Sequence, residues 1–255
     1  MMTQVKTAKE IEAMRVSGRM LASVLKYLRG EIKEDMSTKD LAILAARELE
    51  SLGGKPAFLG YQGFPDVICI SVNEEVVHGI PSTDKILHAG DIVGLDFGVT
   101  YGGMVTDGAI SVIVGTAKEQ RHLELVRATE ASMYEGIERV HGRVRTGDIG
   151  SAVQSVLESK QHGGKFGIVR DLVGHGVGHH LHEDPNIPNY GRAHSGPWLS
   201  AGMTIAIEPM ATLGDEGVYV AADQWTILTQ DGSWSAHFEH TVLITEEGSE
   251  ILTQV

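Results

Sequence analysis

Residues 172–185, with the sequence LVGHGVGHHLHEDP, bring four histidines and two carboxylates into one short stretch of the chain. His175 and His179 have the spacing of the two histidines in the helical zinc-protease motif H-E-x-x-H. Gly176 and Gly178 lie between them, and each glycine costs roughly 1 kcal/mol in a helix interior. The stretch therefore predicts a strand that runs into a loop, and a metal site here needs partners from other segments.

Two aspartates, Asp96 and Asp107, flank a hairpin signal in which two β-rich runs meet around Tyr101-Gly102-Gly103. A hairpin centred between Tyr101 and Gly102 would place the two acids directly opposite each other, where buried anions repel. A protonated carboxyl, a nearby basic residue or a bound cation would each relieve this repulsion. Neither strand contains lysine or arginine, which favours a metal ion. A bulge that turns the acids to opposite faces is the alternative.

Two glutamates extend this candidate metal site. Glu208 ends the segment AGMTIAIE, which repeats the segment AGDIVGLD that ends at Asp96, and Glu239 lies in an apolar-rich strand. With His175, the candidate set becomes four carboxylates and one imidazole: Asp96, Asp107, His175, Glu208 and Glu239. A structural zinc site prefers cysteine and histidine in a closed tetrahedron. The set instead fits two divalent ions bridged by carboxylates, with water as a further ligand.

The elements that must position these residues occur twice along the chain. Helical periodicity predicts one helix over residues 7–28 and a second from about 37 to 54, where paired glycines end it. Helices are expected again at about 118–140 and 146–161. An offset of about 110 residues relates the two helix pairs, their terminal glycine pairs and the two strands that end in an acid.

This repetition predicts an internal duplication within a single catalytic domain that spans residues 1–255. The halves would cover about 7–115 and 117–250 and would be related by a pseudo-twofold axis. We therefore expect an α+β fold with two pseudo-symmetric α/β halves and one shared antiparallel sheet. The acids at the strand ends would converge near the axis.

The composition narrows the range of partners. The net charge of −13 opposes nonspecific binding to nucleic acid, which needs clustered lysine and arginine. Lys6, Lys9, Arg15 and Arg19 are expected to form a solvated helix face. Cys69 is the one cysteine, so no internal disulfide can form, and no apolar run approaches the ~20 residues that span a bilayer. We expect a cytoplasmic protein with no membrane partner and no specific nucleic-acid partner.

The five candidate ligands occur in the motifs LDFG, MVTDG, VGHGVG, IEPM and FEHT, in the order Asp, Asp, His, Glu, Glu. Together with VNEEVVHGIP, LGYQGFP and HEDPNIPNYG, these motifs resemble the type I methionine aminopeptidases of peptidase family M24. The resemblance runs from about residue 8 to the C-terminus. It implies the duplicated pita-bread fold and a dinuclear metallo-exopeptidase that removes N-terminal methionine before a small second residue. It further implies a monomer that acts on nascent polypeptide N-termini, with docking at the ribosome left open.

The resemblance also implies roles for the candidate ligands. The residues that would bind two divalent ions are Asp96, Asp107, His175, Glu208 and Glu239. Asp107 and Glu239 would bridge the ions, and Glu208 would also carry a proton. The metals would be drawn from Mn, Fe(II), Co, Zn and Mg, since oxygen-rich ligation alone does not select among them. His179 and His180 receive no role.

Two further histidines and an apolar pocket complete the implied site. His182 would hydrogen-bond the substrate amide, and His78 would assist the leaving nitrogen. A capping role is the structural alternative for His78. The methionine side chain would enter a pocket lined by Phe58, Tyr61, Phe64, Cys69, Leu181 and Trp225. Phe58, Gln62 and Leu181 differ from the residues that are commonest at these positions in the family. The resemblance therefore supports the metal-dependent chemistry more directly than it supports the substrate selectivity.

Three other functions compete with this interpretation. A proline-specific peptidase of the same fold would share the ligands but usually carries an additional N-terminal domain. A catalytically inactive pita-bread module that binds proteins or RNA would typically lack ligands, and all five occur here. A serine or cysteine hydrolase has no support, because the chain lacks G-x-S-x-G and Cys69 lies in an apolar strand.

Overall fold

The computed structural model describes residues 3–254; Met1, Met2 and Val255 of the predicted domain lie outside this range. The helices are α1 (Ala8–Glu31), α2 (Thr38–Leu52), α3 (Gln120–Glu138) and α4 (Thr146–Leu157). The strands are β1 (Lys55–Pro56), β2 (Cys69–Val72), β3 (Glu75–Val77), β4 (Ile92–Tyr101), β5 (Met104–Ile113), β6 (Arg143–Arg145), β7 (Gly167–Ile168), β8 (Gly174–Gly176), β9 (Glu183–Ile187), β10 (Trp198–Ser200), β11 (Thr204–Ile207), β12 (Met210–Thr212), β13 (Val218–Val220), β14 (Ile227–Thr229), β15 (Ser235–His237), β16 (Glu239–Ile244) and β17 (Ser249–Ile251). Across residues 3–254, no helix has the length and apolar character needed to cross a membrane.

The first helix pair begins and ends at local signals in the sequence. The Thr7 hydroxyl accepts a hydrogen bond from the Glu10 amide, and the Glu10 carboxylate accepts one from the Thr7 amide. This reciprocal capping box fixes the start of α1, and Ser37 with Asp40 fixes the start of α2 in the same way. Helix α2 stops at Gly53, which has the left-handed φ of 79° that glycine adopts without strain.

The second helix pair occupies the predicted segments, but α4 ends at Leu157 and not near Gln161. Ser159 is extended, with φ −80° and ψ 132°, and its hydroxyl accepts a hydrogen bond from the Gln161 amide. This local bond breaks the helix, so Lys160–His162 form a separate 3-10 turn that ends at Gly163.

The central sheet runs through both halves of the chain, in the order β1-β4-β5-β16-β11-β8-β9. β2 also pairs with β4, and β17 pairs with β16. Within this sheet, the two halves join through the antiparallel pairing of β5 with β16. The expected shared antiparallel sheet is therefore present, with strands from the predicted first half on one side and strands from the second half on the other.

The β4–β5 hairpin differs from the predicted register by two residues. Its turn is Gly102-Gly103, because Tyr101 pairs with Met104. Asp96 therefore pairs with Ala109, and Asp107 pairs with Gly98. The predicted direct opposition of the two acids is wrong, and so is the bulged alternative. Side chains alternate along each strand, so the two acids lie diagonally on one face of the sheet.

Alternation along β4 separates the hydrophobic core from the acids. Leu95, Phe97 and Val99 are fully buried in a cluster with the apolar sides of α1 and α2. Each such side chain stabilises the fold by about 1.5–3 kcal/mol relative to an exposed position. The Asp96 side chain points to the opposite face of the sheet, and the Gly98 position is on that face too. The core thus holds β4 in one register and fixes which side chains face the site.

Candidate active site

Neighbouring strands of the central sheet bring the five predicted metal ligands to one cavity. Asp96 lies in β4, Asp107 in β5, His175 in β8, Glu208 directly after β11 and Glu239 at the start of β16. These strands are consecutive in the sheet although they are distant in the chain. All five side chains line the same cavity. The sheet therefore gathers donors from both halves of the chain at one point.

Several donor atoms are close enough to bind one ion. Ligand atoms of Asp107, His175 and Glu239 lie within 4.8 Å of one another. His175 Nε2 also lies 3.2 Å from Glu208 Oε1, although the two atoms are not aligned for a hydrogen bond. Asp96 lies outside this compact group and lines the adjoining wall of the cavity.

The His175 ring has the orientation of a metal-binding histidine. Its Nδ1 lies 2.8 Å from the Gly176 carbonyl oxygen. A carbonyl oxygen only accepts hydrogen bonds, so Nδ1 carries the proton and Nε2 presents a lone pair toward Glu208. Burial lowers the pKa of His175 to about 3, so the ring is neutral near pH 7. Metal-binding histidines usually donate their other ring N–H to such a partner.

The four carboxyl groups are buried with too few hydrogen bonds for four negative charges. Asp96 Oδ1, Glu208 Oε1 and Glu239 Oε1 have no hydrogen-bond partner among the residues from 3 to 254. Burial raises the pKa of Asp107 to about 7. Burial, and after it the charge of Asp107, raises the pKa values of the other three carboxyls well above their usual range. Divalent cations coordinate such oxygens and favour their ionised form, so the donor set fits metal ions.

Two histidines lie at the opening of the cavity. His182 Nδ1 is 2.8 Å from the Tyr61 hydroxyl, and the His182 ring packs edge-on to His175 with centroids 4.4 Å apart. Partial burial lowers the pKa of His182, although its ring reaches solvent. His78 has an uncommon φ of 59°. Burial, and secondarily His182, lowers the pKa of His78 to about 4. Both rings are neutral near pH 7 and can donate or accept hydrogen bonds.

An apolar pocket adjoins the metal-binding side chains. The cavity encloses about 160 Å³. Its walls include all six side chains of the predicted pocket: Phe58, Tyr61, Phe64, Cys69, Leu181 and Trp225. An apolar cavity of about 150 Å³ holds a benzene-sized molecule, so this pocket has room for one amino-acid side chain. The Phe64 ring packs edge to face on Phe58 and Trp225, with centroids 6.5 and 5.1 Å apart, which fixes the aromatic wall.

Cys69 belongs to this wall as a neutral thiol. It is buried at the start of β2, opposite Asp96 in β4. Burial, and after it the charge of Asp96, raises the pKa of the Cys69 thiol well above its ordinary value. A thiolate nucleophile needs the opposite shift, so the geometry gives no support to a cysteine hydrolase.

Sequence reasoning missed one histidine of the site and assigned no role to two others. His179 bonds Glu10 Oε1 at 2.9 Å, and His180 is exposed, so both point away from the cavity. His237 is 3% exposed, and its Nε2 lies 4.0 Å from a carboxylate oxygen of Glu208 and from one of Glu239. The available signal was the spacing of His237 and Glu239, since residues two apart in extended chain share a face.

Comparisons with known proteins identify the family. Residues 12–246 match metallopeptidase family M24. The chain belongs to this family. Methionine aminopeptidase 1 of Bacillus subtilis is 44% identical over 250 residues, which are 98% of each chain. Methionine aminopeptidase 1 of Mycobacterium tuberculosis is 40% identical over 97% of this chain and 94% of its own length.

Solved structures of M24 relatives extend this result to the fold. The methionine aminopeptidase of Thermotoga maritima superposes with a TM-score of 0.96 at 45% identity over the whole of both chains. Prolidase from Pyrococcus furiosus has a TM-score of 0.77 at 24% identity over 98% of this chain and 65% of its own, which shows the fold alone. The predicted α+β pita-bread fold is confirmed. As an M24 metallopeptidase, the chain is a hydrolase, and divalent metal ions are implied for its donor set.

Proposed function

We propose that this M24 metallopeptidase removes N-terminal methionine from polypeptides whose second residue is small. One observation carries the proposal: the carboxylates and the imidazole that fit metal ions line one cavity of about 160 Å³ together with apolar and aromatic side chains. The relatives that match nearly the whole chain are named methionine aminopeptidases, which supports the same substrate class.

We propose that two divalent ions bind the five ligands Asp96, Asp107, His175, Glu208 and Glu239. Asp107 and Glu239 lie between the other donors in the sheet order, which suits the bridging role. The oxygen-rich set is compatible with Mn, Fe(II), Co, Zn or Mg. Such ions, when bound, polarise a peptide carbonyl and lower the pKa of water enough to supply a nucleophile near neutral pH.

The histidines would then handle the substrate's polar groups. With the Tyr61 hydroxyl as the donor to His182 Nδ1, the ring proton would lie on Nε2, which could then donate to the substrate amide. His78 lines the same cavity and, as a neutral ring, would assist the leaving nitrogen through a hydrogen bond from its N–H. Glu208 would take a proton from the attacking water and pass it on, because its carboxylate lines the cavity beside the other donors.

The pocket would set the selectivity. An unbranched methionine side chain fits a narrow apolar slot, and its thioether can pack against Trp225 and Cys69. The second residue would lie beside His78 and His182, which line the same cavity, and we expect this position to accept only a small side chain. A slot of this kind separates substrates that differ by one methylene by ~1–3 kcal/mol. Norleucine should therefore be accepted and branched leucine largely refused.

We also propose that residues 1–255 act as one domain formed by internal duplication, with halves at about 7–115 and 117–250. Two observations support this view. The central sheet is continuous across the β5–β16 pairing, and neither half carries the full donor set. The substrates would be nascent polypeptide N-termini, reached in the cytoplasm by a monomer and met as they leave the ribosome.

A peptide assay tests the proposed function and separates it from its rivals. The protein is treated with a chelator, supplied with Mn²⁺, and assayed on Met-Ala-Ser, Leu-Ala-Ser and Ala-Pro-Ser. Release of methionine from the first peptide, with much slower cleavage of the other two, is expected. Preferred cleavage of Ala-Pro-Ser would identify an X-Pro peptidase, and no cleavage of any peptide would identify an inactive module. The Asp107→Asn variant serves as a control that lacks a carboxylate ligand.

A further inference from the structure

His237 is a rigidly held side chain beside the proposed metal centre. It ends β15, two residues before Glu239, and is 3% exposed. Its amide donates to the Ser111 hydroxyl, which in turn donates to the His237 carbonyl oxygen, both at 2.9 Å. It also pairs with Met210 in β12. The backbone is thus fixed on two sides, and the ring position follows from it.

The Nε2 atom of this ring points at two carboxylates without bonding to either. It is buried and has no hydrogen-bond partner in the stretch from residue 3 to residue 254. Its distance is 4.0 Å to Glu208 Oε2 and 4.0 Å to Glu239 Oε2. Hydrogen bonds between nitrogen and oxygen need about 2.7–3.2 Å, so neither contact is one. A buried polar atom without a partner calls for a physical reason.

These distances match the separation of two ligands on one ion. Nitrogen and oxygen ligands lie about 2.0–2.2 Å from zinc, so two of them on one ion are at most about 4.3 Å apart. Donor atoms of Glu208, His237 and Glu239 all lie within 4.8 Å of one another. Glu208 has one oxygen toward His175 and the other toward His237, so an imidazole stands on each side of its carboxylate.

We propose that His237 is a sixth metal-binding residue, and that Glu208, His237 and Glu239 together hold a divalent cation. The inference rests on the proposed metal centre and adds a second imidazole to its donors. Glu239 is common to this set and to the Asp107, His175 and Glu239 set, so the two ion positions would be adjacent. Imidazole suits Fe or Zn better than it suits Mg or Mn, so the residue would bias the site toward Fe or Zn.

An ion can reach this position from solvent. His237 lines a second, wider cavity of about 500 Å³ together with His78, His175 and Glu208. This cavity adjoins the apolar pocket and shares several walls with it. The proposed ion position therefore borders the opening of the site, and not a sealed part of the core.

Metal titration tests the assignment with a matched pair of variants. His237→Gln keeps a side chain that can hydrogen-bond the glutamates but removes the imidazole donor. His122→Gln is the control, because His122 is also buried with a ring nitrogen that has no partner within residues 3–254, but it lies in α3, stacked on Trp234. Isothermal titration of the chelated proteins with Zn²⁺ and with Mg²⁺ should show Zn²⁺ binding at least 10-fold weaker in His237→Gln only. Mg²⁺ binding should change less. Unchanged Zn²⁺ binding in His237→Gln would overturn the proposal and leave a hydrogen-bonding role.

Anomalous diffraction from a crystal soaked in Zn²⁺ gives a direct second reading. We expect an ion about 2.0–2.2 Å from His237 Nε2. Ions bound by the five predicted ligands, with His237 Nε2 beyond 3 Å of any of them, would rule the assignment out. Release of methionine from Met-Ala-Ser is measured on the same wild-type sample. That assay reports on the proposed function independently, because the wild type can cleave whether or not His237 binds metal.

Discussion

The Lys6 ammonium lies 3.2 Å from Glu183 Oε2, and the side chains of the two residues are 0% and 2% exposed. Lys6 was expected on a solvated helix face, but it precedes α1 and is buried against the segment that follows His182. Glu183 also accepts the His180 amide at 2.9 Å through its other oxygen. The ion pair thus ties the N-terminal segment to the loop that carries His182.

Lys6→Met should destabilise the fold by about 3–5 kcal/mol, because it leaves the Glu183 carboxylate buried without its cation. Urea unfolding of the metal-free protein measures the change. Lys9→Met, at an exposed position, should stay within about 0.5 kcal/mol of the wild type. The double variant Lys6→Met/Glu183→Gln should regain a large part of the loss. A double variant no more stable than Lys6→Met would show that the buried charge is not the cause.

His182→Ala should lower kcat on Met-Ala-Ser by roughly 100-fold or more, which is the usual effect of losing a positioned proton donor. Metal binding should stay intact. His175→Ala should instead lose metal affinity, because it removes a donor. His180→Ala is the control, since that ring is exposed and should leave both quantities unchanged. Equal loss of metal in His182→Ala and His175→Ala would mean that the two roles have been assigned wrongly.

The convergence of the five candidate ligands on one cavity could be predicted from the sequence, because the motifs and strand patterns that mark them are local. Apolar runs define β4, β5 and β16, and an acid within such a run is conspicuous. The register of Asp96 and Asp107 could not be derived in this way, because it depends on which two residues form the turn. Moving the turn from Tyr101-Gly102 to Gly102-Gly103 shifts every pair by two positions and changes direct opposition into a diagonal.

His237 and Lys6 escaped prediction for a different reason. Both acquire their surroundings from segments far away in the chain: Glu208 and Ser111 for His237, and Glu183 for Lys6. A histidine in a strand and a lysine before a helix are ordinary in isolation. Tertiary packing alone makes them buried polar groups, so periodicity and propensity carry no signal for them.

Metal-free protein should show a pH-dependent stability that reports on Asp107. Burial raises the pKa of this carboxyl from an ordinary ~3.9 to about 7 in the folded state. A raised folded-state pKa gives stability that is complete below pH ~4 and is lost as pH rises through about 7. Asp107→Asn cannot ionise and should not share this loss.

The measurement is urea unfolding of the chelated wild type and of Asp107→Asn at pH 5 and pH 8. Relative to the variant, the wild type should lose on the order of 2 kcal/mol between the two pH values. Comparing the two proteins isolates the part of the change that depends on Asp107, because His175, whose lowered pKa acts in the opposite direction, and the other three buried carboxyls are present in both. Added Mn²⁺ should reverse the loss in the wild type. A difference between the proteins that stays constant with pH would contradict a protonated Asp107.

The last prediction concerns the wall of the apolar pocket. Gly98 lies opposite Asp107, and a Cβ there would approach Phe58 Cε1 to 2.6 Å, so the glycine leaves room for the Phe58 ring to cover the pocket. Phe58→Ala should open this wall. Leucine would then fit better, and the preference for Met-Ala-Ser over Leu-Ala-Ser should fall about 10-fold. This change lies within the ~1–3 kcal/mol by which a hydrophobic pocket discriminates between similar substrates. The truncation should also destabilise the protein by about 3–5 kcal/mol.

The ratio of kcat/KM values for the two peptides separates selectivity from the loss of folded protein, because both peptides are assayed on the same sample. Leu59→Ala is the control, since the Leu59 side chain is 55% exposed beside Phe58 and lies outside the cavity. Its ratio should equal that of the wild type. An unchanged ratio in Phe58→Ala would place the methionine side chain elsewhere in the cavity, against Leu181 and Trp225, because Phe58 would then not contact it.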